Sequence, residues 1–398
     1  MLTGLDRLLA MPERLASIRR ERVALLAHPA SVARDLRHAR ASLHAAGVDP
    51  VVIFGPEHGY GGEAQDMIGV DDATDVFGTP IRSLYGDRFE ALSPRDQDLD
   101  GVDRLVVDLQ DVGARYYTFV WTAVLALRAA AARGIRVLVL DRPNPIGGDP
   151  RVIEGKNQDA GYRSFVGLEA IPIRHGLTLG EIVAWRAHVE GVPRELLEII
   201  TVKDLDPASH APAWDRPFVM PSPNMPTYET ALVYPGGCLL EGTNLSDGRG
   251  TTRPFEITGA PWIDGSALAR ELNDAGLPGV RARAVTFLPT FHKHAGLTCG
   301  GVQLHVLDAA AFRPVRTYAL LIALAHRQDP GRFRFRTERY EFIDDIPAFD
   351  LLTGSARGRE AIAAGALPSD VASEIAEPHT REIQTVRDAA EAAERFGV

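Results

Sequence analysis

A carboxylate and an imidazole stand side by side in Phe54-Gly55-Pro56-Glu57-His58-Gly59, a Pro/Gly turn that directly follows the apolar run Val51-Val52-Ile53-Phe54. A glutamate in such a turn is partly desolvated, which raises its pKa toward the value a proton donor needs at neutral pH. Glu57 is therefore the candidate acid. A second carboxylate to work with it has four candidates, Glu63, Asp108, Asp111 and Glu241, of which Glu241 and Asp108 rank highest.

The elements that must hold these groups follow a repeated pattern. Arg22-Val23-Ala24-Leu25-Leu26-Ala27 runs into His28-Pro29-Ala30-Ser31, Leu105-Val106-Val107 into Asp108-Leu109-Gln110-Asp111-Val112-Gly113, and Val137-Leu138-Val139-Leu140 into Asp141-Arg142-Pro143-Asn144-Pro145. With the run ending at Phe54, four apolar segments bounded by breakers read as buried strands whose polar ends fall in register. Ala/Arg/Leu-rich helical stretches lie between them, near 33–46 and 119–133. Strands alternating with helices predict an α/β fold with a Rossmann-like parallel sheet, and ligands bind such sheets at the carboxyl ends of the strands.

Thr178 with Glu181 three residues on is a capping box opening a helix to Glu190, and residues 196–202 supply a further strand. A polar, Pro-containing stretch at 206–213 sets the boundary: residues 1–206 as the Rossmann-like domain and 207–398 as a smaller α+β domain, with the active-site cleft between them. In that second half helices are expected at 265–275 and 314–327 and a strand at 301–306. The three prolines of Pro221-Ser222-Pro223-Asn224-Met225-Pro226-Thr227 stiffen a loop that presents Ser222 and Asn224. Residues 241–256, dense in hydrogen-bonding side chains and broken by glycines, read as a long functional loop.

At 398 residues the chain exceeds what one core serves, so two domains are expected. Its net charge of −10 and lack of a Lys/Arg block disfavour nucleic acid as a partner. No stretch approaches membrane-spanning length and no secretory signal is visible, so a cytoplasmic protein without a membrane partner is expected. Cys238 and Cys299 lie far apart, form no CxxC, and read as small core residues.

Several motifs together resemble one family. FGPEHG, VDLQDVGARYYTF from Val107, VLDRPNPIGG from Val139, SFVG from Ser164, IPIRHGLTLGE from Ile171, PSPNMPT from Pro221, YPGGCLLEGTNLSDGRGTTRPFE from Tyr234 and GAPWID from Gly259 occur in the order found in the NamZ/YbbC-type exo-β-N-acetylmuramidases, a family long catalogued as a domain of unknown function. The resemblance implies a hydrolase that removes N-acetylmuramic acid from the non-reducing end of peptidoglycan fragments, without a cofactor. Many members appear with an export signal. Its absence here favours recycling of imported wall sugars.

Glycoside hydrolysis uses an acid to protonate the leaving oxygen and a second carboxylate as nucleophile or base, or the substrate's own acetamido oxygen in its place. The lactyl carboxylate that distinguishes muramic acid calls for a guanidinium, with Arg249 and Arg115 as candidates. His58, Gln110, Asp111, Tyr116, Tyr117, Asn144, Asn224 and Asn244 are expected to contact the sugar. Three rivals remain. A dinucleotide enzyme lacks its GxGxxG after the first strand. A metal-dependent amidase or deacetylase would draw on His28, His58, Asp108, Asp111, His292 and His294, the last two on one face of a strand, yet no familiar metal-ligand spacing appears, so no metal is expected. A non-catalytic glycan-binding module would bind without turnover.

Overall fold

The computed structural model describes residues 1–149 and 152–397. Among these residues ten strands form two sheets. The first contains β1 (Val23–Ala27), β2 (Val52–Gly55), β3 (Ala73–Thr74), β4 (Pro80–Ser83), β5 (Arg104–Asp108), β6 (Arg136–Leu140) and β7 (Leu197–Ile200), in the order β3-β4-β2-β1-β5-β6-β7. All its pairings are parallel except the short β3–β4 ladder.

The apolar runs become strands because both faces of the sheet are covered. Side chains alternate between the two faces: Ala24, Leu26, Leu105 and Val107 join the larger core with the helix Phe119–Ala132, while Val23, Leu25, Ile53 and Val106 join a smaller one with Leu5, Leu8 and Leu43. The Thr178 capping box is present and opens the helix Leu179–Val189.

From β1 the chain builds outward through β2 and β4, then returns to the other side of β1 for β5, β6 and β7. The order therefore reverses at the β1/β5 pair, and a crevice opens beyond the ends of these strands, where ligands bind such sheets. His28, just past β1, holds the crevice together. The backbone N–H of Gln110 donates to His28 Nε2 at 2.9 Å, so Nδ1 carries the hydrogen and donates to the Pro221 carbonyl at 3.2 Å. Burial, reinforced by the Arg142 charge, pushes this imidazole down to about 3 and keeps it neutral.

The helix Tyr228–Gly237 and the 3-10 turn Cys238–Gly242 lead into the second sheet. There β8 (Ile257–Ala260), β9 (Val280–Phe287) and β10 (Cys299–Val306) pair antiparallel in the order β8-β10-β9, with the helices Gly265–Asp274 and Pro314–Gln328 packed nearby. This sheet and its helices are the smaller α+β part. The last helix, Thr380–Phe396, returns to the first half and packs on Leu179–Val189 and β7, with Gly397 bridging Ile199. Both cysteines are buried and free. Among the described residues no helix is long and apolar enough to cross a membrane.

His292-Lys293-His294 does not form a strand. The segment is a turn in which His292 and His294 adopt positive φ (66° and 58°), so their side chains do not share a strand face.

Candidate functional site

A cavity opens between the two halves, lined by Glu57, His58, Asp66, Tyr116, Tyr117 and Thr118 from the first and by Ser222, Asn224, Glu241, Arg249, Tyr340 and Glu341 from the second. Phe119, Val166, Met225, Tyr234 and Phe255 supply its apolar surface. Glu57 sits where β2 ends, as its sequence position implied. Its Oε2 accepts from the Thr118 hydroxyl at 2.7 Å, and the Met67 N–H lies 3.5 Å from Oε1.

Glu241 arrives on the 3-10 turn and accepts from Arg249 Nη2 at 2.8 Å and from the Tyr340 hydroxyl at 2.7 Å. Arg249 also has its Nε 3.2 Å from Asp66 and its Nη1 3.1 Å from Asp247, without aligned hydrogen bonds, and its face lies over the Phe255 ring. Burial alone would lower the Arg249 pKa, but Glu241, Asp247 and Asp66 outweigh it and hold the guanidinium well above its usual value. Burial would likewise raise the Asp247 carboxyl. Lys293, Arg249 and His292 hold it well below the carboxylate range.

Glu341 was not legible as a site residue. Burial first, then the charges of Glu57 and Glu241, push its carboxyl well above the ordinary range, and the Tyr85 hydroxyl donates to its Oε2 at 3.1 Å. It lies in the charged stretch Thr337-Glu338-Arg339-Tyr340-Glu341, where nothing local separates it from a solvated charge. Asp66 was also missed, though it follows Glu57 in the same glycine-broken segment.

The backbone at this cavity is strained. His58, Phe255 and Glu341 line it with φ of 71°, 63° and 44°, and Met67, beside Glu57, has 59°. Each such conformation in a non-glycine residue costs on the order of 1–3 kcal/mol and persists only where its surroundings enforce it.

Among the other residues singled out on sequence, His58, Tyr116, Tyr117 and Asn224 line the cavity with Glu57, Glu241 and Arg249. The Tyr117 hydroxyl, with Ser222 as polar neighbour, has no aligned hydrogen-bond partner among the described residues. The remaining residues lie elsewhere. Asp108 is fully buried and gripped bidentately by Arg142, at 2.5 and 2.9 Å. The Gln110 side chain donates to the carbonyls of Asp111 and Pro143, and Asp111 accepts from the Gly113 N–H while facing His175 at 3.5 Å.

Arg115 donates to the carbonyls of Lys156, Ile171 and Leu352, a structural tie deep in the fold. Asn144 braces its own turn and the Leu177 carbonyl. It packs so closely on Gly113 (φ 82°) that a Cβ there would lie 2.5 Å from its Oδ1. Asn244 pairs with the backbone of Arg332 and Arg334 outside the cavity, and Glu63 is exposed. The residues considered as metal ligands do not converge: among the described residues no three His, Cys, Asp or Glu side chains are grouped as a metal site.

The chemistry of this cavity is that of several carboxyl groups, one of them driven toward its protonated form, beside tyrosines, an asparagine and one guanidinium. The family described as exo-beta-N-acetylmuramidase NamZ matches the chain in two parts, the N-terminal part over residues 23–229 and the C-terminal part over residues 232–388. The peptidoglycan beta-N-acetylmuramidase NamZ of Bacillus subtilis (strain 168) is 41% identical over 358 residues, 89% of this chain and 82% of the relative. Two crystal structures of DUF1343 family proteins from Bacteroides fragilis NCTC 9343 share the fold. One has a TM-score of 0.84 at 29% identity, covering 99% of this chain and 98% of the other; the second has 0.73 at 26% identity, covering 98% of each. The chain belongs to the NamZ exo-β-N-acetylmuramidase family.

Proposed function

We infer that this protein is an exo-acting glycoside hydrolase that releases N-acetylmuramic acid from the non-reducing end of peptidoglycan fragments. The observation that carries the mechanism is the pair of neighbouring carboxyl groups, Glu57 and Glu341, in unlike surroundings. A carboxyl group driven toward its protonated form beside a second carboxyl group is an arrangement that acid catalysis of glycoside hydrolysis uses. The Thr118 hydroxyl donates to Glu57 at 2.7 Å, whereas burial and the charges of Glu57 and Glu241 favour the protonated form of Glu341.

On sequence Glu57 is the candidate acid. In the folded site Glu341 is the acid that holds the resting proton, and Glu57 is its partner. Glu341 protonates the glycosidic oxygen as the bond to the anomeric carbon breaks, and Glu57 stabilises the positive charge that develops on that carbon. Water supplies the oxygen that replaces the leaving group, and its proton restores the pair. Glu241 keeps Arg249 and Tyr340 in place. Tyr117 and Asn224 offer polar contacts to the sugar. A cytoplasmic role in recycling wall sugars belongs to the same reading, with the two buried thiols kept reduced, and cell fractionation tests it.

The test is release of N-acetylmuramic acid from a chromogenic β-N-acetylmuraminide and from a disaccharide bearing it at the non-reducing end. Turnover is expected without added metal and unchanged by a chelator. Binding of the sugar without release would instead establish a glycan-binding module, and loss of turnover to the chelator with recovery on zinc would establish the metal-dependent reading.

A further inference from the structure

The cavity is poorly suited to a carboxylate, yet the substrate carries one. Glu57, Asp66, Glu241 and Glu341 face a single guanidinium, Arg249, and Asp247 stands behind it. Even with Glu341 protonated, three carboxylates at the cavity outnumber Arg249, so a further anion there meets net repulsion. The substrate's carboxylate calls for a different reader.

Next to the cavity runs an open groove whose lining includes His292, Lys293, His294, Arg334, Arg336 and Glu338. Local sequence builds it. Arg332-Phe333-Arg334-Phe335-Arg336 alternates basic and apolar residues, and Phe335, bridged to Thr243, lines the groove between Arg334 and Arg336. Phe333 and Phe335 belong to or pack on the core, and Asn244 fixes the segment by pairing with Arg334 through its backbone N–H (3.0 Å) and its Oδ1 (2.9 Å). Arg332 is paired with Asp329, and Lys293 is held by the Leu240 carbonyl and Asp247. Arg334 and Arg336 have no carboxylate within ion-pair distance among the described residues. Arg334 donates to the carbonyls of Pro330 and Phe333, and Arg336 to that of Arg339. Glu338, the one acid of the groove, accepts from the Thr337 N–H.

The groove adjoins the acid end of the cavity by two routes. Met67, whose N–H lies by Glu57, places its sulfur 3.6 Å from Arg336 Nη2. Tyr340, next in sequence to Glu341 and bonded to Glu241, lies under the Arg336 guanidinium, 5.0 Å from its ring centre. We propose that this groove is a second binding site, in which Arg334 and Arg336 take a lactyl carboxylate of the substrate glycan. The inference rests on the muramidase reading and adds the determinant of its selectivity. A guanidinium binds a carboxylate through paired, charge-assisted hydrogen bonds. Two sugars could present the group: the terminal one being released, or the third sugar of an alternating glycan, whose carboxylate lies on the leaving side.

The test compares wild type with Arg334→Met, Arg336→Met and the double variant. The substrates are an aryl β-N-acetylmuraminide, which has only the terminal carboxylate, its lactyl methyl ester, and a tetrasaccharide with carboxylates on its first and third sugars. Loss of the pairing is expected to raise KM roughly ten- to a hundred-fold with kcat largely kept. An equal rise on the aryl substrate and the tetrasaccharide, with loss of preference for acid over ester, supports the site and assigns it to the terminal sugar. A rise on the tetrasaccharide alone supports it and assigns it to the third sugar. Arg334→Met is the control for disturbance of the cavity, because among the described residues no hydrogen bond, ion pair or ring contact joins Arg334 to a residue lining it. Variants within two-fold of wild type on every substrate overturn the proposal. Wild type inactive on every muraminide removes the muramidase reading itself, a failure visible without any variant.

Discussion

Lowering the pH should loosen this fold through one histidine. His28 is fully buried and neutral, with its Nε2 accepting from Gln110 and its Nδ1–H donating to Pro221, and it stays neutral down to about 3. In the unfolded chain the same side chain titrates at its ordinary value near 6.5. The unfolded state therefore binds the proton first. The stabilising contribution is complete above about 6.5 and drains away as the pH falls toward about 3, at about 1.4 kcal/mol per pH unit. Between pH 7 and pH 5 the loss is about 2 kcal/mol, and it is insensitive to the folded value as long as that value lies well below 5. Other groups titrate in this range, so the measurement is a difference. Urea unfolding followed by tryptophan fluorescence, for wild type and His28→Gln at pH 7 and pH 5, should show the variant losing about 2 kcal/mol less. Equal losses in the two proteins would refute the reasoning. Function is linked to the same contact, because a protonated ring would set Nε2–H against the Gln110 N–H, and the Pro221 segment it anchors carries Ser222 and Asn224 into the cavity.

Glu57→Gln and Glu341→Gln should each lower kcat on a substrate with a poor leaving group by roughly 10² to 10⁴ while sugar binding, read by calorimetry, is largely kept; a variant within a few-fold of wild type does not carry the role assigned to it. Arg249→Met leaves Glu241, Asp247 and Asp66 grouped without their shared counter-charge, and thermal or urea unfolding at neutral pH should show a loss of about 3–5 kcal/mol. Asp108→Asn should cost a similar amount through Arg142 while turnover per folded molecule stays within a few-fold of wild type; a collapse of kcat with stability intact would return Asp108 to the reaction.

The first half was readable because its signals are local. Each apolar run and the breaker after it lie within ten residues, and the helix opened by Thr178 carries its own cap. Motif order supplied the family. The roles of single polar residues were much less legible, since a role depends on what the fold brings from far away. Asp108 and Glu57 both follow apolar runs, yet Arg142 neutralises one and the cavity exposes the other. Arg115 and Asn144 sit in the family-like motifs and serve the backbone. Glu341 becomes distinctive only because Tyr85, Glu57 and Glu241 surround it. The turn at His292–His294 was misread because alternation alone does not reveal positive φ.

The return of the helix Thr380–Phe396 to the first sheet bears on how the protein is made. Val386, Ala389 and Phe396 share a core with Ile182, Leu197 and Ile199, all synthesised far earlier, and Gly397 bridges Ile199. While a ribosome is still translating the second half, that apolar flank beside β7 stays uncovered, and Glu341 has yet to reach Glu57. Domains ordinarily fold in order of emergence. Here the first half is covered only after residues 380–397 have emerged. A chain that ends before residue 341 has neither this flank covered nor Glu341 beside Glu57, and so lacks the pair proposed for the hydrolysis.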